Sequence, residues 1–495
     1  MDIRTLLDNL DDAHEGQRLE FKEAAAGLPD DLWETYSAFA NTEGGEIVLG
    51  VSEEVAGGRF SATGVVDAQG VVASFWSSLR NPQRVGRDVM LYDGVRIEHV
   101  DDKDFVVIDV PRAERGEKPV RVYDRRSKGF VAYVRRDGGD FKASEEDIRL
   151  MQYDGIPSAD RKPLEHFGMD ALSEETIRRY RNVFASSKPQ NPWVNDSDED
   201  FLYHIGALAK GHDGRLHPTQ AGLLAFGYEY EITNYVPQYL LDYREERSGD
   251  RRWDDRVVSQ SGDWSGNLID FYYLVTERLV RHFKMPFSTD ETGTVHGALN
   301  PVTEAANEAV ANALVHAYYG ANGSIRIILK KDRISVSNPG SLLVDWRVAV
   351  AGGFSETRNP TLMRIFSFIG ASDRAGSGLQ QIWRTWQDVY GEEPTLREAH
   401  SPASISLEMP LRDEKAVAQV RDRAQMMIWS VSPVDDAAIV LLLASCPQGL
   451  TPQEVHDATG ISKRSAQERL KRLCEEGEIE RTKDGRFYRY QARRR

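Results

Sequence analysis

Two glutamates and a lysine near the start of the chain have residue types and spacing suited to phosphodiester chemistry. Glu15 and Glu20 are five positions apart, and Lys22 follows Glu20 by two positions. Carboxylate oxygens hold Mg²⁺ or Mn²⁺, and a lysine offsets negative charge on a phosphate. Because side chains two positions apart in a strand share a face, Glu20 and Lys22 should point the same way. The alternative is a surface acid with a lysine partner, which is common on soluble proteins.

The elements around these residues predict a sheet with helices packed against it. Apolar residues either alternate or recur every three to four positions through residues 1–155, as in mixed α and β structure. A polar, proline-bearing run over 158–163 has the composition of a linker and ends this region. The pattern predicts helices over 3–10, 31–41 and 71–79 and strands over 18–22, 46–51, 95–100 and 105–110.

The residues from Glu15 to Lys22, together with residues 38–51, resemble the Alba-type nucleic-acid-binding domain of the Schlafen family. The resemblance implies such a domain over residues 1–155, and in that family an acid pair with a third acid supports metal-dependent RNA cleavage. Many Schlafen-type sequences have aspartate shortly after the strand that ends here at Val51, whereas this chain has Glu53. The extra methylene moves the ligand oxygens by about one bond length. The implied ligands of Mg²⁺ or Mn²⁺ are Glu15, Glu20 and Glu53, and the implied catalytic residues are these three and Lys22.

A basic segment with interspersed aromatic residues, over residues 121–136, is a candidate nucleic-acid-binding surface. Tyr123, Phe130 and Tyr133 lie among its cationic side chains. Arginines contact phosphates and aromatic rings stack on unpaired bases, a mixture suited to RNA. A solvated hairpin with ordinary cross-strand tyrosine–arginine pairs explains the pattern equally well. The candidate cations are Arg121, Arg125, Arg126, Lys128, Arg135 and Arg136.

Composition excludes several classes of protein. The 495 residues are too many for one core, so roughly two to four domains are expected. A net charge of −16 argues against non-specific coating of nucleic acid, because such binding needs lysine and arginine to displace counterions. No apolar run approaches the roughly 20 residues that cross a bilayer, and residues 1–7 lack the features of a secretory signal. A cytoplasmic location without a membrane partner is therefore expected. The two cysteines are too few for a disulfide framework.

Four polar side chains recur at four-residue intervals on a helix predicted over 303–318. Glu304, Glu308, Asn312 and His316 form one stripe on a helix whose other faces are alanine or aliphatic. Because the rest of this helix is suited to burial, a polar stripe on it needs partners. The stripe is therefore a candidate binding site.

This helix resembles the glutamate-and-asparagine helix of the ATPases that unite gyrase, the ninety-kilodalton heat-shock chaperone, histidine kinases and mismatch-repair proteins. The resemblance implies a GHKL-like α/β sandwich over residues 301–412, in which Asn312 holds Mg²⁺ on ATP and Glu308 primes water. Asn338 stands where that superfamily has the aspartate that grips adenine, and an amide oxygen is a weaker acceptor than a carboxylate. Taken alone, Gly376 and Gly378 would indicate only an ordinary glycine turn. The implied nucleotide-binding residues are Glu308, Asn312, Asn338, Gly340, Gly376 and Gly378.

Three helices and a hairpin are predicted over residues 434–490, in a C-terminal domain over 430–495. Thr451 and Pro452 start a helix that Gly460 ends, a second helix spans 461–476, and an Asp-Gly turn follows. The arrangement resembles a winged helix-turn-helix, whose basic side chains suit a DNA major groove. A winged helix used for dimerisation or protein docking is the alternative. The candidate contacts are Lys463, Arg464, Gln467, Lys483 and Arg486.

The order of these regions, with an intermediate domain or linker over 156–300, resembles bacterial Schlafen-like proteins often labelled as predicted transcriptional regulators. The resemblance implies a multi-domain α/β and α+β protein that binds RNA, DNA or both and forms a homo-oligomer. It also implies an endoribonuclease for tRNA-like substrates in stress or anti-phage defence, controlled by a nucleotide or a partner. The alternative is a non-catalytic, ATP-responsive transcriptional regulator that binds DNA through its C-terminal region.

Overall fold

A computed structural model of the chain divides into two compact units, Met1–Leu411 and Arg412–Arg495. Each unit has its own hydrophobic core. Among the described residues, no helix is long and apolar enough to cross a membrane. The structure describes residues 3–8, 16–54, 59–247, 252–283, 301–353, 356–372, 377–400, 402–411, 439–440, 443, 450–459, 463–475, 479–484 and 487–492.

Residues 3–154 of the larger unit, called here the N-terminal domain, contain four α-helices and nine strands in their described part. Its predicted helices and strands are all present, with ends that differ by at most three residues. The helices are α1 (Ile3–Asp8), α2 (Leu32–Asn41), α3 (Ala68–Leu79) and α4 (Glu145–Asp154). The strands are β1 (Leu19–Lys22), β2 (Gly45–Leu49), β3 (Val51–Glu54), β4 (Arg59–Ala62), β5 (Val95–Val100), β6 (Lys103–Val110), β7 (Arg121–Asp124), β8 (Gly129–Arg136) and β9 (Gly139–Lys142).

The central sheet of this domain has the strand order β1-β2-β6-β5, with β1 and β2 parallel. One of its faces packs against α2 and α3, and the other packs against α1 and the β3–β4 hairpin. Two glycines allow the close approach of β2 to its neighbours. A Cβ on Gly44, whose φ is +74°, would lie 2.8 Å from the Val110 carbonyl oxygen. A Cβ on Gly45 would lie 2.8 Å from the Phe39 ring.

A separate three-stranded sheet, β7-β8-β9, covers the outer side of α2. Val122 and Tyr133 on its inner face join the core that α2 shares with the central sheet. Side chains of alternate residues point to opposite faces of a strand, so the residues between them face away from α2. This alternation determines which members of the basic segment are exposed.

The rest of the larger unit is built around a six-stranded sheet of order β13-β12-β14-β15-β17-β16. Helix α10 packs on this sheet beside α9, α12 and α13. The helices are α5 (Glu174–Ser187), α6 (Asp198–Ile205), α7 (Gln220–Phe226), α8 (Glu229–Tyr235), α9 (Leu268–His282), α10 (Pro301–His316), α11 (Trp346–Ala351), α12 (Pro360–Phe368) and α13 (Gly378–Tyr390). The strands are β10 (Leu208–Lys210), β11 (Leu216–Pro218), β12 (Leu241–Glu246), β13 (Asp255–Val258), β14 (Ile325–Lys330), β15 (Arg333–Pro339), β16 (Thr395–His400) and β17 (Ala403–Pro410).

The sheet begins well before residue 301, where a separate domain was expected to start. Strand β12 pairs in parallel with β14, and α9 packs against α10. The expected intermediate domain over 156–300 therefore supplies two strands, β12 and β13, to the six-stranded sheet. It also supplies α9, which packs beside the polar-striped helix α10. The pairing of β12 with β14 joins residues about 80 positions apart. A local sequence pattern does not reveal such a pairing.

The run over 158–163, expected to be a linker, contains one buried residue, Asp160, whereas Ser158, Arg161 and Lys162 are exposed. Asp160 is 0% exposed, and its Oδ2 accepts hydrogen bonds from the backbone N–H groups of Thr361 (2.8 Å) and Leu362 (2.9 Å). These groups belong to the first turn of α12, whose unpaired donors favour a carboxylate. Asp160 therefore caps this helix.

The smaller unit contains helices α14 (Pro452–Thr459) and α15 (Lys463–Glu475) and a hairpin of β18 (Ile479–Asp484) and β19 (Phe487–Ala492). The apolar side chains Ala466, Leu470 and Leu473 on one face of α15 are buried. Two of the three expected helices and the hairpin therefore lie where they were expected, and most of the region before them lies outside the described residues. Their assignment to the winged helix-turn-helix class stays a prediction.

Candidate functional site

Glu20 is held between two cations in the N-terminal domain. Its side chain lies on the α2 side of β1 and is 8% exposed. Lys22 Nζ lies 3.0 Å from Oε1, and Arg135 Nη2 lies 2.8 Å from Oε2. Lys22 also donates to Asp31 Oδ2 at 2.9 Å. Burial alone would lower the pKa of Lys22, but the Glu20 and Asp31 carboxylates raise it above its ordinary value. Both oxygens of Glu20 are therefore neutralised.

Arg135 lies inside the domain. Its side chain is 1% exposed, lies over the Phe39 ring and bonds Asp140 Oδ1 at 2.8 Å. Its Nε and Nη2 also donate to the Gly16 carbonyl oxygen, at 3.0 and 2.9 Å. A buried guanidinium with this many acceptors is well satisfied. The expectation that Arg135 contacts nucleic acid from the surface is therefore corrected.

Glu53 does not meet Glu20. Glu53 is exposed on β3, opposite Phe60 of β4, and the Phe60 ring packs 4.7 Å from that of Phe21. Because Phe21 and Glu20 are consecutive in β1, they point to opposite faces of the sheet. Glu53 shares the Phe21 side, away from Glu20.

Glu15 lies outside the described residues, so the three-glutamate metal site is only partly described. Among the residues that the structure does describe, no group of three acidic, histidine or cysteine side chains has a metal-binding arrangement. The proposed ligation of Mg²⁺ or Mn²⁺ by Glu15, Glu20 and Glu53 stays a prediction.

The hairpin of β7 and β8 has an outward face with two exposed aromatic rings. Tyr123 and Phe130 are direct cross-strand partners, 42% and 44% exposed, with ring centroids 6.0 Å apart in an edge-to-face arrangement. Arg121 lies on the same face, two positions before Tyr123. We call Arg121, Tyr123 and Phe130 the aromatic face. Exposed rings of this kind present stacking surfaces to solvent.

The turn that joins β7 to β8 carries three exposed cations, Arg125, Arg126 and Lys128. Asp124 holds this turn in shape, because its carboxylate accepts from the Arg126 N–H (2.8 Å) and the Ser127 hydroxyl (2.8 Å). Lys142 Nζ also donates a hydrogen bond to this carboxylate. The bond from Lys142, together with the two bonds from the turn, lowers the pKa of Asp124 well below its usual range. The turn is therefore ordered and carries three exposed cations, of which Arg125 forms an ion pair with Asp30 at 2.6 Å.

Arg136 differs from the three cations of the turn. Its Nη2 lies 2.7 Å from both carboxylate oxygens of Asp147, and its side chain is mostly covered. Its charge is therefore already neutralised by Asp147 of α4.

An exposed aromatic residue that the sequence analysis did not name is Phe141 of β9. It is 53% exposed and is the cross-strand partner of Val134 on β8. The signal for it was its place in a short strand after an Asp-Gly turn.

A cleft beside α10 brings together most of the predicted nucleotide-binding residues. Glu308 and Asn312 from α10, Asn338 from β15 and Gly378 from the start of α13 all line it. The cleft measures about 950 Å³, including space open to solvent, and is lined mainly by apolar side chains. We call it the α10 cleft.

Gly378 explains why α13 can start so close to α10. A Cβ at this position would lie 2.3 Å from Glu308 Oε1 and 3.2 Å from Asn312 Nδ2. Any larger residue would push α13 away from both polar side chains. The glycine, glutamate and asparagine therefore form one contiguous wall, although 66 to 70 positions separate Gly378 from the other two in the sequence.

Asn338 is buried, and its Nδ2 donates to the Pro339 carbonyl oxygen at 3.2 Å, so its amide oxygen remains an acceptor. Gly340 does not line the α10 cleft, which corrects its assignment. It has φ of +117°, and a Cβ there would lie 2.7 Å from Arg358 Nη1, so it makes room for that arginine. Gly376 lies outside the described residues.

The cleft also contains His316, a member of the predicted stripe, and Arg358 and Glu356, which the sequence did not indicate. The pKa of His316 is lowered to about 4 by burial and by the nearby Arg358 charge, so its imidazole is neutral near pH 7. The signal for His316 was present in the stripe, whose first member, Glu304, is exposed and outside the cleft. Nothing local in the sequence connected Arg358 to the stripe.

In the smaller unit, Gln467 and Lys483 are exposed as expected. The side chains of Lys463 and Arg464 and the whole of Arg486 lie outside the described part of the chain. The role of these five residues in binding DNA stays a prediction.

Comparison with known protein families agrees with this architecture. Residues 15–144 match the Schlafen AlbA_2 family. Residues 322–407 match a family described as the C-terminal region of the ATP-dependent DNA helicase RecG, and residues 149–242 match a domain family of unknown function. The expected Schlafen-type domain and ATPase-like domain are therefore confirmed. No curated protein is significantly similar to this chain.

Two solved structures are similar to parts or all of the chain at low TM-scores. A crystal structure of a Corynebacterium diphtheriae protein has 15% identity and a TM-score of 0.39, and the match covers 100% of both chains. The solution structure of the N-terminal domain of a RecG-related protein from Nitrosomonas europaea has 27% identity and a TM-score of 0.23. That match covers 28% of this chain and 92% of the other.

Replacing Arg135 by methionine is expected to lower the free energy of unfolding by about 3 to 5 kcal/mol, because Glu20 and Asp140 lose their shared buried cation. Urea unfolding followed by tryptophan fluorescence measures the loss. The exposed Arg126→Met variant is the matched control and should change stability by about 0.5 kcal/mol or less. Adding Glu20→Gln to Arg135→Met should recover part of the loss, and strictly additive losses would contradict the pairing.

Proposed function

We propose that this Schlafen-like protein binds nucleic acid through its N-terminal domain and a nucleotide in the α10 cleft. The observation that carries the first part is the exposed pair of Tyr123 and Phe130 beside an ordered turn with three exposed cations. The match of residues 15–144 to the Schlafen AlbA_2 family supports it.

The chemistry of this surface favours single-stranded RNA. Unpaired bases stack on exposed rings, and the arginines and lysine beside them contact phosphates. The net charge of −16 makes such a local cluster necessary, because the rest of the chain repels a polyanion. The surface therefore suits a loop or a single strand better than a long duplex, whose bases are stacked inside.

The second part rests on the convergence of Glu308, Asn312 and Gly378 on one wall of the α10 cleft. The Asn312 amide oxygen would bind Mg²⁺ on the phosphates of ATP, and Gly378 lets backbone N–H groups approach them. The Asn338 amide oxygen suits the amino group of adenine. The match of residues 322–407 to the RecG C-terminal family supports a nucleotide site.

Endoribonuclease activity on tRNA-like substrates, in stress or anti-phage defence, is a finer proposal that rests on the resemblance. Cleavage that uses Glu20 requires a metal ion to displace Arg135 or Lys22 from its carboxylate oxygens. Because a buried ion pair with this many hydrogen bonds is costly to break, the geometry favours binding over cleavage.

Replacing Tyr123 and Phe130 together by alanine is expected to weaken binding of a 20-nucleotide single-stranded RNA by about 30-fold or more, since each stacked base contributes about 1 to 3 kcal/mol. Fluorescence anisotropy with the full chain measures the dissociation constant. The matched control is Tyr92→Ala, because Tyr92 is 97% exposed on another surface. Equal affinity of the double variant and the parent would sink the proposal for this face.

Addition of ATP with Mg²⁺ is expected to raise the melting temperature of the parent, because a ligand that binds the folded state stabilises it. The Asn312→Ala variant should lose this shift, since it lacks the proposed metal ligand. Glu304→Ala is the control on the same helix, because Glu304 is exposed outside the cleft. A shift of the same size in Asn312→Ala would refute the assignment of the α10 cleft.

Incubation of tRNA with the protein and Mn²⁺ tests cleavage. Because Arg135 and Lys22 occupy the Glu20 carboxylate, we expect intact tRNA with both the parent and the Glu20→Gln variant. Gel electrophoresis of the labelled RNA gives the answer. Products that form with the parent and disappear with Glu20→Gln would overturn this expectation in favour of a nuclease.

A further inference from the structure

A second cleft lies between the N-terminal domain and the six-stranded sheet, within the larger unit. It measures about 1480 Å³, including space open to solvent. One wall comes from the N-terminal domain and the other from the segment after β15. We call it the Lys118 cleft. We infer that the Lys118 cleft binds the phosphodiester backbone of the nucleic acid strand whose bases stack on the aromatic face. The inference deepens the proposed function and rests on its first part.

The first observation is that two basic side chains of this cleft, Lys118 and Arg112, donate only to backbone carbonyl oxygens. Lys118 Nζ donates only to backbone carbonyl oxygens, those of Asn41 at 2.6 Å and Thr42 at 3.4 Å. Arg112 donates to the Leu342 carbonyl oxygen at 3.3 Å. Among the described residues, neither cation has a carboxylate oxygen within ion-pair distance. Burial and then repulsion by the Arg112 charge lower the pKa of Lys118 to about 7, and the Asp154 and Glu398 carboxylates oppose this shift. A phosphate between Lys118 and Arg112 would remove this repulsion.

Arg115, in the same cleft, adds a third cation with weak partners. Its Nε is buried and has no hydrogen-bond partner in the described structure. Its Nη1 lies 3.5 Å from the Thr357 carbonyl oxygen and 3.7 Å from Glu356 Oε2, distances longer than those of a strong charge-assisted hydrogen bond. A guanidinium left in this way has donors available for a phosphate oxygen.

Two of the carboxylates in the Lys118 cleft are already neutralised by other arginines. Asp147 is paired with Arg136 at 2.7 Å. Asp154 is paired with Arg358 at 2.6 Å. These acids therefore oppose an incoming polyanion much less than free carboxylates would. The other acids of the lining are Glu43, Asp345 and Glu398. Glu43 is exposed, and Glu398 accepts a hydrogen bond from the Leu342 backbone N–H at 3.0 Å.

Strand β8 connects this cleft to the aromatic face. Val134 and Arg136 line the cleft, and Phe130 lies on the same face of the strand. The six steps from Phe130 to Arg136 span roughly 20 Å. A strand of nucleic acid along β8 would place stacked bases at one end and phosphates beside Arg112, Arg115 and Lys118 at the other.

The test is the salt dependence of binding to a fluorescein-labelled 20-nucleotide single-stranded RNA, measured by anisotropy between 50 and 200 mM KCl with the full chain. Replacing Arg112 and Arg115 together by alanine is expected to weaken binding about tenfold and to reduce the slope of log Kd against log salt by about 0.7 per lost contact. A single-stranded DNA of the same sequence should show the same loss, since both carry phosphodiesters. Lys118→Met should also weaken binding.

The control is Arg384→Ala, because Arg384 is exposed in the middle of α13, away from both clefts. Its affinity and salt slope should match the parent, and thermal melting verifies that each variant is folded. An unchanged affinity and slope in the Arg112 and Arg115 variant, with binding lost in the Tyr123 and Phe130 variant, would overturn this inference and leave the proposed function standing. A parent that binds no RNA would overturn both.

Discussion

The buried guanidinium of Arg358 joins the parts of the larger unit. It forms a two-point ion pair with Asp154 at the end of α4, at 2.6 and 3.0 Å. It also donates to the carbonyl oxygens of His316, at the end of α10 (2.7 Å), and of Ser341, after β15 (2.9 Å). A buried charge is tolerated only when its donors are satisfied, so all of these acceptors must stay in place together. The connection between the N-terminal domain and the polar-striped helix α10 therefore depends on the Arg358 side chain.

The neighbours of Arg358 reinforce the same connection. Asn359 donates to the carbonyl oxygens of Val315 and Ala317 and accepts from the Tyr153 hydroxyl at 3.0 Å. Asp160 then caps the helix that begins at Pro360. Because Arg358 also lines the α10 cleft, the wall of that cleft is built on contacts from the N-terminal domain. The segment 341–344 lines both the α10 cleft and the Lys118 cleft. A ligand in either cleft would therefore touch the same short segment.

Electrostatic pairing also separates the cations that hold the fold from those that are available to a ligand. Arg135 and Arg136 belong to the same basic segment as the three cations of the β7–β8 turn. Arg135 forms ion pairs with Glu20 and Asp140, and Arg136 forms one with Asp147. The same pairing covers the carboxylate that was expected to hold a metal ion. Charge that is already neutralised contributes to stability and has little left for binding. Binding is therefore assigned to the residues whose charge faces solvent.

The sequence by itself determined the local elements and the kinds of domain. The apolar pattern predicted seven of the helices and strands of the N-terminal domain to within three residues, and the four-residue stripe placed Glu308, Asn312 and His316 on one face of α10. These features depend on residues a few positions apart, whose periodicity is visible in a linear chain.

Only the tertiary structure decided which charges are free and which residues meet. It put Arg135 in the interior and Glu53 on the opposite side of the sheet from Glu20. It brought Gly378 against Glu308 and Arg358 against Asp154, pairs separated by 70 and 204 positions. Pairings over such separations follow from the packing of whole layers, and the strength of a buried ion pair depends on the solvent that those layers exclude. Neither property can be predicted from residues that lie close together in the sequence.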